Sequence, residues 1–179
     1  MIENILFFPG MIAHEIAHAI ACILTGTRII AVKPWGLKEA YVRHEESGPF
    51  KMLVITLAPF LFNLAFAALF IYIGNIYFRN NSVSVAFLMY WISASLCYHS
   101  LPSHADVKNA YSSFTGKWFS WMFDKEGVFL AVLAWVLFIP VFIPVMLMIF
   151  ISYIFSQVEH LGLLFFVVMF IWIGHAMGL

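Results

Sequence analysis

His14-Glu15-Ile16-Ala17-His18 places two histidines and a carboxylate inside an apolar run extending from Ile5 to Leu24. Residues at i and i+4 share one face of a helix, one turn apart, so both imidazoles can reach a single zinc ion. The glutamate between them is then placed to take and return the proton of a water that zinc acidifies. Ionisable side chains at membrane depth are costly and usually mark a functional site. A metal ion is the best candidate to offset that cost. The competing account is a polar trio hydrogen-bonded to neighbouring helices without a metal.

A catalytic zinc takes a third protein ligand and keeps a fourth position open. Asp106, in Leu101-Pro102-Ser103-His104-Ala105-Asp106-Val107-Lys108, is the leading candidate. Pro102 breaks the helix before it, and irregular backbone at depth is tolerated where it lines a cavity. Asp106 has a second account, as the cap of a helix beginning near Val107. His104 is the rival ligand, with His99 behind it.

The elements that must position these groups are set by composition. The chain has 179 residues, of which 64% are hydrophobic and 10% charged, with a mean hydropathy of +0.96. Soluble domains run near 45–50% apolar and about 25% charged, so the expectation is an all-α integral membrane protein with little outside the bilayer. Net charge is zero, which gives no footing for nucleic acid as a partner. Cys22 and Cys97 fall within predicted spans and read as packing residues, not a disulfide. Met1-Ile2-Glu3-Asn4 is acidic, so no cleavable signal peptide is expected.

Five apolar runs reach the roughly 20 residues a span needs: Ile5–Leu24, Met52–Phe78, Val83–Leu101, Val128–Phe155 and Val158–Met177. Pro140 and Pro144 predict a kink or break in the fourth, and a short turn near Ser156-Gln157 precedes the fifth. Arg28, Lys33, Lys38, Arg43 and Lys51 follow the first span, and Lys108, Lys117 and Lys125 follow the third, against Arg79 alone on the other side. The positive-inside rule then puts the N-terminus outside, the C-terminus in the cytoplasm and the motif toward the cytoplasmic face. Between the first two spans, about residues 27–45, Arg28–Pro34 and Leu37–His44 predict a small cytoplasmic β-hairpin around Trp35-Gly36. Its edge could accept an extended peptide as a further strand. Trp118, Phe119, Trp121 and Phe123 suit an interfacial belt or a surface helix. Lone His160 and His175 read as packing or interfacial groups.

With these residues in view, the chain resembles the site-2 protease type of intramembrane zinc metalloprotease, and more loosely the small zincin-like membrane peptidases related to it. The likeness rests on His14-Glu15-Ile16-Ala17-His18 preceded by Phe8-Pro9-Gly10, the β-rich loop after it, Ala58-Pro59-Phe60-Leu61-Phe62-Asn63 in the second span, and Pro102 followed by Asp106. It covers roughly residues 5–110. The resemblance implies a three-span core over 1–110; the aromatic stretch and the last two apolar runs predict an interfacial segment over 111–126 and two further spans over 127–179. It implies one zinc per chain on His14, His18 and Asp106, Glu15 as general base and acid, and Asn63 orienting the substrate backbone. It further implies a multi-pass protein of a prokaryotic cell membrane, with a membrane-embedded or membrane-proximal peptide as substrate. Three departures stand out: Val107-Lys108 replaces a glycine after the aspartate, Ala58 replaces another glycine, and Asn63 lies one residue farther from its proline.

Two other functional classes fit the same residues. One is a zinc-dependent membrane hydrolase of a lipid or other non-peptide amide or ester. The other is a non-enzymatic metal-binding scaffold or transporter. A transporter would spread polar ligands along a path, whereas here they cluster at one depth. Histidine and carboxylate ligands would also suit iron or cobalt.

Overall fold

Pro9 stands in the first turn of its helix, where a missing N–H costs nothing, and from there the chain is helical to Leu24. The computed structural model describes residues 2–37, 39–113, 115, 143–147, 149–151, 153–154 and 161–178. Its helices are α1 (Ile2–Leu6), α2 (Phe8–Leu24), α3 (Pro49–Arg79), α4 (Val83–Tyr98), α5 (His104–Ser112) and α6 (Leu161–Ala176), and residues 143–147 and 149–151 are also helical. One antiparallel sheet pairs β1 (Ile29–Lys33) with β2 (Tyr41–His44). The protein is mostly helical, with this small hairpin after the helix that carries the motif. The stretch from Trp118 to Phe123, Pro140, the Ser156-Gln157 turn and His160 lie outside the described residues.

The expected first span is split at Phe7 into α1 and α2. Among the described residues, α3 is the one helix long and apolar enough to cross a bilayer, over Phe50–Arg79. α2, α4 and α6 are apolar but shorter, at 17, 16 and 16 residues.

Two left-handed turns set the direction of the chain. After α2, Gly26 takes a φ of 65°, Thr27 N donates to Cys22 O and Gly26 N to Ile23 O. This is a Schellman cap, which needs a residue that tolerates positive φ. Asn81, at a φ of 59°, ends α3 with the same pair of bonds, from Ser82 N to Tyr77 O and from Asn81 N to Phe78 O.

The first of these turns sends the expected hairpin back along α2 instead of away from its end. Ile29 and Val42 pack on Ala21, Cys22 and Ile55. The tip reaches the opposite end of α2, where Asn4 Nδ2 donates to Leu37 O at 3.2 Å and Trp35 closes a cavity of about 430 Å³ with Ile5, Phe8 and Ile12. The cause is hydrophobic: apolar strand residues gain cover against the helix that they would lack beyond its end.

α2, α3 and α4 pack together, and α6 lies on α3 and α4. Ala67, Leu96 and Cys97 form a fully packed junction there, flanked by Ala13, Phe166 and Met169. Two glycines permit the close crossings. A Cβ on Gly10 would meet the Ser95 carbonyl, and one on Gly162 the Cys97 carbonyl. At the first crossing Gly10 N donates to Ser95 Oγ, which in turn donates to Phe7 O, both at 2.7 Å. Cys22 and Cys97 are buried free thiols, as the sequence led us to expect.

Candidate metal centre

His14 and His18 share the inner face of α2 and are 7% and 6% exposed. Their rings meet edge to face with centroids 4.8 Å apart. Each ring is held from behind by a main-chain carbonyl. His14 Nδ1 lies 2.6 Å from His99 O, and His18 Nδ1 lies 2.9 Å from Ile55 O. A carbonyl can only accept, so both Nδ1 atoms carry the proton, and in a neutral ring Nε2 is then left with its lone pair. That is the tautomer metal-binding histidines use, with the far nitrogen anchored by an outer partner.

Both Nε2 atoms point at one carboxylate oxygen. Asp106 Oδ2 is 3.7 Å from His14 Nε2 and 3.4 Å from His18 Nε2. Asp106 arrives from α5 at the third position of that helix, oriented by Ser103 at the N-cap. Ser103 N and Oγ donate to Oδ2 at 2.9 and 2.6 Å, and Asp106 N donates back to Ser103 Oγ. The helix begins at His104, three residues before the expected start near Val107, so the N-cap is Ser103 and not Asp106. Asp106 is the N3 member of the capping box, and it faces the two histidines.

The ligand atoms of His14, His18 and Asp106 lie within 4.8 Å of one another. Both Nε2 atoms and one carboxylate oxygen thus converge on a single point. His18 Nε2 is fully buried and lacks a hydrogen-bond partner among the described residues. A lone pair held against a carboxylate at such distances requires a cation or a shared proton in between. Two imidazoles and a carboxylate are a donor set suited to zinc, and the residues present fit such an ion.

Glu15 is 8% exposed. The Val42 backbone of β2 lies beside its carboxyl. The hairpin thus runs past Glu15. A polar cavity of about 380 Å³ opens near the same end, lined by His44, Glu46, Ser47, Met52, Asn109 and Ser112 among others. Asn109 is one turn along α5 from Asp106 and Met52 one turn from Ile55.

Other residues singled out by the sequence fall elsewhere. His104 is exposed, turned toward the Tyr153 ring at 5.6 Å and outside the converging group. His99 contributes its carbonyl, while its ring packs on Tyr98. Asn63 is fully buried, and its Nδ2 donates to His99 O at 2.9 Å and Gly10 O at 3.4 Å. It thus lies behind His14, without exposure to a substrate. His175 is exposed on α6. Sequence reading passed over Ser103, although Ser-x-x-Asp is itself a capping-box signal, and over Ile55, whose carbonyl carries no signature of side-chain type. Compared with protein-family models, curated proteins and solved structures, the chain matches none.

Proposed function

We propose that the chain is an intramembrane zinc metalloprotease of the site-2 protease type, cutting peptide bonds of membrane-embedded or membrane-proximal substrates. The observation that carries this reading is the convergence of His14 Nε2, His18 Nε2 and Asp106 Oδ2 beside a buried glutamate in the HExxH spacing. The proposal includes five spans with the N-terminus outside, the C-terminus cytoplasmic and the centre toward the cytoplasmic side of a prokaryotic cell membrane.

Zinc bound by these three residues would supply an acidified water and polarise the scissile carbonyl. Glu15 would take a proton from the attacking water, whose oxygen bonds the acyl carbon, and give it to the amine nitrogen as the C–N bond breaks. His14 and His18 keep their Nδ1 protons on His99 O and Ile55 O throughout, so their rings do not turn. A helical substrate hides its carbonyls in its own hydrogen bonds. Pairing with an edge of the hairpin, which passes beside Glu15, would hold it in extended form. The polar cavity by Asn109 and Ser112 suits the entry of water.

The test is a Glu15→Gln variant in detergent or vesicles with a panel of single-span reporter peptides. Wild type should hold one zinc and cleave. The variant should keep its zinc and lose cleavage by at least about 100-fold, the range general acid–base groups contribute. Retained cleavage would refute the role of Glu15. A wild type that takes up no zinc would sink the protease reading altogether.

A further inference from the structure

The segment Ala58-Pro59-Phe60-Leu61-Phe62-Asn63 has a proline in the interior of α3, and neither the zinc ligands nor the base accounts for it. A proline within a helix removes the N–H that would bond the carbonyl four residues earlier, and its ring crowds that same carbonyl. Here the carbonyl is Ile55 O. It is the one that accepts from His18 Nδ1 at 2.9 Å. With any other residue at 59, the helix N–H would bond this oxygen as well and hold the carbonyl along the helix axis, away from His18. Pro59 and Ile55 are both almost fully buried, so water is no substitute partner.

One turn farther on, Asn63 serves the second ligand. His99 is the C-cap of α4, where carbonyls have no helical donor. Its carbonyl oxygen accepts from His14 Nδ1 at 2.6 Å and from Asn63 Nδ2 at 2.9 Å. A carbonyl has two lone pairs, and the two bonds fill both. Asn63 also donates to Gly10 O on α2, fixing the helix from which His14 projects.

We propose that Pro59 and Asn63 are positioning residues of the metal centre: Pro59 frees the Ile55 carbonyl to orient His18, and Asn63 braces the His99 carbonyl that orients His14. The inference rests on the metalloprotease reading and gives the Pro59–Asn63 segment a role in building the centre instead of contacting substrate. It also predicts opposite effects on folding and on metal binding, which a merely structural proline would not produce. Pro59→Ala restores a helix donor, which favours α3, while drawing Ile55 O away from His18.

The experiment measures zinc affinity, the visible absorption of the cobalt-substituted protein and the thermal midpoint of the metal-free protein for wild type, Pro59→Ala and Asn63→Leu. Pro59→Ala should melt no lower than wild type yet bind zinc 10- to 100-fold more weakly, the usual effect of losing an outer-shell partner, with an altered cobalt spectrum. Asn63→Leu should also bind more weakly; if it does not fold, Pro59→Ala decides the matter. A Pro59→Ala protein with wild-type zinc affinity and cobalt spectrum overturns the positioning role alone. A wild type that binds no zinc overturns the metalloprotease reading, and this role with it.

Discussion

Ser103 and Asp106 bind each other in both directions, and the oxygen of Asp106 that closes this loop is the one that faces the histidines. Oδ2 accepts from Ser103 N and Oγ while standing 3.4 Å from His18 Nε2 and 3.7 Å from His14 Nε2. Helix capping and ligand orientation are thus a single arrangement. The cap fixes the direction of the carboxylate from within its own helix.

Removing that cap should affect stability and metal binding together. Ser103→Ala is expected to cost about 1 kcal/mol of stability, as N-cap losses do, and to weaken zinc binding about 10-fold. Ser103→Thr should retain both. Thermal unfolding of the metal-free protein and a zinc titration would check it. Lost stability with unchanged zinc affinity would leave Ser103 as a cap only.

The three ligands should be indispensable to the metal. His14→Ala, His18→Ala and Asp106→Ala are each expected to reduce bound zinc well below one per chain after dialysis, measured by elemental analysis. Zinc added to wild type at 100 times its dissociation constant should stabilise it by about 2.7 kcal/mol, and this gain should vanish in His18→Ala. Chelation should abolish peptide cleavage and zinc should restore it.

Gly10 should tolerate no side chain. Its missing Cβ is what lets α2 approach the Ser95 carbonyl. Gly10→Ala must force the helices apart, at about 1–3 kcal/mol for an overpacked contact. Because His14 lies one turn along the same helix and is anchored on α4 through His99 O, zinc affinity should fall as well. A variant with wild-type melting temperature would show that the crossing yields more easily than its contacts suggest.

The hairpin tip should loosen independently of the core. Asn4→Ala removes the exposed bond to Leu37 O, and global stability should change by no more than about 0.5 kcal/mol, as for most surface positions. Amide exchange around Trp35–Leu37 should nevertheless quicken, as expected where local opening is separate from global unfolding. If cleavage of reporter peptides also slows, the tip contributes to holding the hairpin beside Glu15.

Local patterns carried the first half of this picture. A histidine pair at helical spacing, with its glutamate, is written in five consecutive residues, and the apolar runs of α3 and α4 and the β-prone stretch after Gly26 can be read from their neighbours alone. Asp106 was legible as a nearby acid after a helix-breaking proline, though its choice over His104 was not. The direction of the hairpin was hidden, because it depends on whether Ile29, Val42 and Trp35 find cover against α2 or remain beyond it.

What the sequence by itself determined is the identity and spacing of the chemical groups, since helical periodicity acts over one or two turns. Only the tertiary structure decided which carbonyls stand behind the imidazoles, because His14 and His99 are 85 residues apart and His18 and Ile55 are 37 apart. Those pairings follow from the register in which α2, α3 and α4 pack. That register is set by contacts such as Gly10 on Ser95, which have no period to read.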